Sequence, residues 1–335
     1  MRHGKPNCYS NWNRHDRLDS HRTHGPLRHR NHRRVLESVY RMKPTYGSLF
    51  SGVGGFDMGF DRAGYDCKWQ VEWDKNCQQT LAYHWPDIPR HGDVQDVRGD
   101  QLEPVDVIIY GSPCQDLSVA GKRNGIDGGK SSMFFHAVRI IKEMRDGTNG
   151  HVPRIAVWEN VPGSLRSNNG RDFGRVLDEL ANIGAVDIEW AVLDAAFFGV
   201  PARRRRVFVA ANFNTARRFP DTRKIFPVSQ IHERHSLPAD DTITFYRTHG
   251  RQDLPQRGIA PTLKAITPVC IARPGSRPRI LTPVEHERLM GWPDNHTLHR
   301  ADGKTNSDST RYKMCGNGVA TPVAEWIATQ LKGLL

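Results

Sequence analysis

From Thr45 onward the chain alternates short apolar runs with amphipathic ones, and that alternation restricts the fold more than any single motif does. Tyr46–Phe50, Asp66–Glu72, Val105–Tyr110, Arg154–Trp158, Ile188–Leu193 and Arg206–Ala211 read as strands. Between them lie a glycine turn leading into a helix to about Ala63, a helix capped by Asp74 and running to about Trp85, and helices around Ser132–Arg145 and Asp172–Ile183. The pattern predicts an α/β fold, a doubly wound and mostly parallel sheet. In such a sheet, ligands and chemistry gather at the carboxyl ends of the strands. Residues 213–256 lose the pattern; they are polar, basic and contain proline, and predict a separate small unit. A helix beginning near Pro283 and a final helix from about Val319 to Leu334 close the chain.

A chain of 335 residues can bury a substantial core. No stretch approaches the ~18 apolar residues of a membrane span, so a soluble cytoplasmic protein is expected. The six cysteines form no C-x-x-C pair and no cluster with metal spacing, which predicts free thiols and no metal site. The net charge of +12 is uneven. Residues 1–41 hold 10 Lys+Arg against 3 Asp+Glu, and residues 201–280 hold 16 against 5. The remainder is mildly acidic. Basic segments beside an acidic core point to a polyanionic partner, nucleic acid first. The tail 1–41 has almost no apolar periodicity and is expected to be disordered. It is either a non-specific basic arm or an over-extended start, because a beginning at Met42 leaves the patterned region whole.

Three groups of residues carry chemistry. Gly111-Ser112-Pro113-Cys114-Gln115 follows the apolar run Val105–Tyr110. A thiol at a strand's carboxyl end is a candidate nucleophile. The turn Phe50-Ser51-Gly52-Val53-Gly54-Gly55 follows a strand and opens a helix, where backbone can approach a ligand closely. The next strand ends in Glu72-Trp73: an acid placed to hold ribose hydroxyls and an indole able to stack on adenine. Asp93, followed by Val94, can accept from an adenine amino group. Together these predict an adenosine-containing cofactor, either a dinucleotide or S-adenosylmethionine.

With Glu159-Asn160-Val161, Gly199-Val200-Pro201, Arg204, Arg206, Pro261-Thr262-Leu263, Leu281-Thr282-Pro283, Arg288 to Asp294, Tyr312-Lys313 and Gly316-Asn317-Gly318-Val319, these motifs stand in order over residues 46–335. The chain thereby resembles the DNA (cytosine-5)-methyltransferases of the bacterial and phage type. The resemblance implies S-adenosylmethionine as cofactor, held by Phe50, Gly52, Gly54, Gly55, Glu72, Trp73, Asp93, Val94, Pro113, Asn317 and Gly318. It implies Cys114 as the nucleophile at carbon 6 of a flipped-out cytosine and Glu159 as the acid at N3. Arg204 and Arg206 become a clamp on the base and nearby phosphates. It places Gln115, Ser118, Lys122 and Arg123 against DNA, in a loop that closes on the target. The chain departs from the family pattern at Ala202, where glutamine is usual, at Gly318 for serine and at Trp292 for phenylalanine.

The expected division is a catalytic and cofactor-binding domain over 42–212 plus 305–335 and a small target-recognition domain over 213–304. The expected partner is double-stranded DNA, bound by a monomer, and a cognate restriction endonuclease stays open as a functional partner. Two other readings keep the scaffold: a tRNA cytosine-5 methyltransferase, whose Cys-Phe-Thr signature is missing from the target region, and a catalytically silent DNA-binding regulator, which would lack Cys114 or Glu159. A nicotinamide dehydrogenase would leave Pro113-Cys114-Gln115 unexplained.

Overall fold

A computed structural model of the chain describes residues 43–113, 133–219, 225–227, 243–246, 256–265, 269–273 and 275–335. The tail 1–41 lies outside these residues, as do Cys114, Gln115, Ser118, Lys122 and Arg123.

Seven strands make the main sheet: β1 (Thr45–Leu49), β2 (Asp66–Val71), β3 (Arg90–His91), β4 (Val107–Tyr110), β5 (Ile155–Asn160), β6 (Asp187–Asp194) and β7 (Arg205–Asn212). Their spatial order is β3-β2-β1-β4-β5-β7-β6. The pairs among β1 to β5 are parallel, and β7 runs antiparallel to both β5 and β6. Seven helices of α type accompany the sheets among the described residues: α1 (Gly55–Arg62), α2 (Lys75–His84), α3 (Met133–Gly147), α4 (Arg171–Asn182), α5 (Pro283–Leu289), α6 (Asp308–Asn317) and α7 (Thr321–Leu331). This is the doubly wound, mostly parallel α/β architecture that the alternation predicts.

Every residue of β4 is buried, because both faces of the sheet are covered. Val107 and Ile109 join one core with Phe56 and Phe60 of α1 and Val323, Ile327 and Leu331 of α7. Ile108 and Tyr110 join the other with Phe134, Ile140 and Ile141 of α3 and Val176 and Leu180 of α4. Asp74 caps α2 as expected, its carboxylate accepting from the amides of Asn76 and Cys77 at 2.9 and 3.3 Å. β5 runs on past Trp158 because Glu159 and Asn160 pair with Phe208 and Val207 of β7.

Two features lie beyond the sequence reading. The helix α6 escapes a periodicity test because its buried stripe is Arg311, Met314 and Cys315, with an arginine where an apolar residue would be read. A second sheet, order β11-β10-β8-β9, is built from β8 (Ile243–Tyr246), β9 (Gln256–Arg257), β10 (Val269–Ala272) and β11 (Arg279–Ile280). Strands this short give too few alternations to register as a pattern. The final helix starts at Thr321, two residues after the expected Val319, with Pro322 in its first turn.

One buried carboxyl predicts a pH dependence of stability. Asp57 on α1 is fully buried and accepts from Gln70 Nε2 at 2.9 Å and Ser48 Oγ at 3.1 Å. Burial pushes its carboxyl up to about 7, the two hydrogen bonds offsetting only part of that rise. The folded chain then keeps a proton that the unfolded chain releases near the ordinary carboxylate value. Stability therefore falls as pH rises from about 4 to about 7 and levels off above. Between pH 5 and 7.5 the wild type should lose about 2–3 kcal/mol more than Asp57→Asn. Urea titrations at both pH values measure this, and parallel losses would sink the assignment.

Candidate active site

The site forms where β1, β2, β4 and β5 end and β7 begins. β1 ends at Leu49, and the chain turns through Phe50, Gly52 and Gly54, all at positive φ (56°, 59° and 82°). Phe50 is not glycine, and its left-handed backbone is an outlier of the kind that clusters at ligand sites. A Cβ at Gly52 would meet nothing within 4 Å, so this part of the turn faces open space. Gly54 caps α1, and Gly55 is its first residue. The buried Glu72 braces the turn from β2: Oε2 accepts from the Gly52 amide at 2.7 Å and Oε1 from the Asp74 amide at 2.8 Å. Burial raises its carboxyl to about 7. Beside it Trp73 is 73 % exposed, the largest exposure among the large apolar side chains described. Asp93 accepts from the Gln95 amide at 3.0 Å and lines a shallow cavity with His91 and Gly92, while Val94 is buried beneath. An exposed indole and a braced glycine turn whose Gly52 faces open space fit an adenosine group.

The second half of the site lies across β4, β5 and β7. Because β7 is antiparallel, its first residues sit beside the last residues of β5. Arg206 thereby meets Glu159, Nε to Oε1 at 2.9 Å, both largely buried. Burial raises the Glu159 carboxyl, and the positive charges of Arg206 and Arg204 hold that rise in check. The other carboxylate oxygen lies against Gly111, where a Cβ would come within 3.3 Å of it. Ser112 is locked by two β5 side chains: Trp158 Nε1 donates to Ser112 Oγ at 2.9 Å and Asn160 Nδ2 to its carbonyl at 3.5 Å. Pro113 follows, and Cys114 is the next residue in the chain. Trp158 holds Ser112, a contact that reading the sequence does not give. Its signal is only its place, one residue before Glu159 on a buried strand.

The expected arginine clamp divides. Arg204 is buried, and its Nη atoms donate to the carbonyls of Leu263, Gly316 and Gly318. Those donors tie the end of α6 to the 261–263 loop; Arg206 makes the ion pair with Glu159, and Arg204 acts on that carboxyl through its charge. The same loop supports the Ala202 position. Arg203 N donates to Ala260 O at 2.7 Å and Ala260 N to Pro201 O at 2.8 Å, so backbone bonds hold the segment without a glutamine amide. Asn317 is exposed and Gly318 half-buried at the end of α6. A Cβ on Gly318 would come within 2.5 Å of the Trp292 ring, so the glycine and the tryptophan, both departures from the family pattern, fit each other.

Among the described residues no helix is long and apolar enough to cross a membrane. Comparison with known proteins places the chain. Residues 45–244 and 241–333 match the family described as C-5 cytosine-specific DNA methylase. The chain is 30 % identical over 305 residues to type II methyltransferase M2.BsuMI of Bacillus subtilis (strain 168), covering 85 % of this chain and 74 % of that one. It is 28 % identical over 331 residues to type II methyltransferase M.HpaII of Haemophilus parainfluenzae, covering 85 % and 88 %. Among solved structures, the S. pombe Dnmt2 methyltransferase superposes with a TM-score of 0.62 at 16 % identity, over 87 % of this chain and 99 % of that one.

Proposed function

The chain belongs to the C-5 cytosine-specific DNA methylase family, and on that premise we propose that it methylates carbon 5 of a flipped-out cytosine within a specific word of double-stranded DNA, by way of a covalent adduct between Cys114 and carbon 6. It is a DNA cytosine methyltransferase, and the family's methyl donor is S-adenosylmethionine. The observation that carries the mechanistic reading is the buried Glu159–Arg206 pair beside the Gly111–Pro113 lead-in to Cys114.

Carbon 5 of cytosine is a poor nucleophile. Addition of the Cys114 thiolate at carbon 6 moves the ring's π electrons toward carbon 5 and N3. Glu159, with its carboxyl raised by burial, hydrogen-bonds or protonates N3 as that charge builds. Arg206 fixes the carboxyl's orientation and adds positive potential. When bound, S-adenosylmethionine supplies the electrophilic methyl group. Loss of the carbon-5 proton then returns the electron pair to the ring and expels Cys114. The target base must leave the duplex stack to reach the thiol. In this reading Gln115, Ser118, Lys122 and Arg123 form the loop that closes over it. The cofactor lies on Phe50, Gly52, Gly54, Gly55, Glu72, Trp73, Asp93, Val94 and Pro113, with Asn317 and Gly318 at its edge. Residues 42–212 plus 305–335 serve catalysis, and 213–304, which include the whole second sheet, serve target recognition. We read the enzyme as a cytoplasmic monomer, and a cognate restriction endonuclease stays open as a functional partner.

Trp73→Ala should weaken S-adenosylhomocysteine binding by about tenfold, the loss of one stacked aromatic face. With 73 % of Trp73 exposed, the melting temperature should stay put. Calorimetric titration and a thermal melt decide this, and unchanged affinity would put the adenine elsewhere. Glu72→Ala is a poorer probe, because it also strips the acceptor from the Gly52 and Asp74 amides. The function itself is tested by bisulfite sequencing of DNA from cells expressing the protein. One short word protected at a single cytosine is expected. Unmodified DNA in cells, and no transfer from S-adenosylmethionine in vitro, would overturn the reading.

A further inference from the structure

The turn that receives the cofactor is also held from far along the chain. We propose that His296 is a positioning residue for the methyl-donor site, fixing the turn Phe50–Gly55 by donating Nε2–H to the Val53 carbonyl. The inference rests on the reading that this turn holds the cofactor.

Nε2 of His296 lies 2.6 Å from the Val53 oxygen, and the ring is 2 % exposed. A carbonyl oxygen can only accept, so the proton sits on Nε2. Burial and the neighbouring His84 push the ring's pKa down to about 3, which leaves it neutral with that single proton. The ring has little freedom to turn away. It stacks on His84 with centroids 4.1 Å apart and planes 19° from parallel, and Trp292 lies at 5.4 Å. Its backbone is clamped on both sides by the fully buried Glu287, which accepts from the amides of Asn295 and Thr297 at 2.7 and 2.9 Å. Arg311 of α6 closes that cluster with a donor to Glu287 at 3.0 Å. Val53 lies between Gly52 and Gly54, both in left-handed backbone; inside the turn the Gly54 amide donates to the Ser51 carbonyl at 2.9 Å, and His296 adds a restraint at the Val53 carbonyl from outside it. One hydrogen bond from a rigid, buried ring is thus well placed to choose among its conformations. Such a bond is worth roughly a two- to tenfold change in an equilibrium.

The test compares the full chain carrying His296→Phe or His296→Gln with wild type, by calorimetric titration with S-adenosylhomocysteine, steady-state kinetics and thermal melts. Phenylalanine keeps the ring stack and removes the donor; glutamine carries an N–H to about the same place. His296→Phe should weaken S-adenosylhomocysteine about fivefold and raise KM for S-adenosylmethionine in step, with kcat at saturating cofactor within twofold. His296→Gln should bind within about twofold of wild type. Wild-type affinity in His296→Phe overturns the inference, as does a folded His296→Gln that binds as weakly as the phenylalanine variant. If His296→Phe does not fold, His296→Met, which also lacks the donor, takes its place in the comparison. A wild type that binds no S-adenosylhomocysteine would instead remove the cofactor reading, and this inference with it.

Discussion

Cys114→Ser should reduce methyl transfer by at least about a thousandfold while leaving S-adenosylhomocysteine affinity within about twofold. The chemistry needs an anion able to add to carbon 6 near neutral pH. A thiol supplies a useful fraction of thiolate there, whereas a serine hydroxyl without a strong base supplies almost none. The affinity should survive because the groups assigned to the cofactor lie mainly on β1, β2 and the turns that follow them. Radiolabelled methyl transfer measures the first quantity and calorimetry the second. DNA carrying 5-fluorocytosine adds a direct view of the adduct, since fluorine does not leave as a proton does. A stable complex should form with wild type and not with Cys114→Ser. A serine variant that turns over at the wild-type rate would remove Cys114 from the mechanism.

The parts of this site that could be read from the sequence are those that obey local rules. The glycine turn and Glu72-Trp73 follow strands and Glu159-Asn160 end one, and ligand groups at strand ends follow from the fold class. The parts that could not be read depend on residues far apart in the chain. Arg204 stands in an arginine cluster and reads as a charge for the substrate, yet its donors reach carbonyls more than fifty residues downstream. Nothing near Arg311 says that its partner will be Glu287 on another helix, and that pairing is what makes α6 look too polar to be packed. Gly318 and Trp292 each look like a drift from pattern; only their contact explains both. His296 sits in a polar run, and its role exists only because the fold brings it to Val53. Trp158 and Ser112 are 46 residues apart and meet because β4 and β5 are neighbours in the sheet.

Glu159→Gln should lower kcat by about a hundred- to ten-thousandfold, with little change in affinity for DNA or cofactor. Glutamine keeps the shape and can still accept from Arg206 at its carbonyl oxygen, but it cannot pass a proton to N3. The pair with Arg206 supplies a second, independent signature. Burial raises the Glu159 carboxyl, and the charge of Arg206 pulls it back. If the protonated acid is the working form, activity falls as pH rises through the carboxyl's pKa. Removing Arg206 removes its nearest positive partner at 2.9 Å, so the pKa rises further. Arg206→Ala should therefore be slower at every pH, having lost orientation, while the alkaline fall in its single-turnover rate moves to higher pH. Glu159→Gln should show no such fall at all. Profiles from about pH 5.5 to 9 separate this from a purely structural ion pair, for which Arg206→Ala would lower the rate without moving the limb. A rate that instead rose with pH through this pKa, its rising limb moving to higher pH on losing Arg206, would mean that the ionised carboxylate, acting as a base, is the working form, and the assignment of Glu159 as the acid would fail.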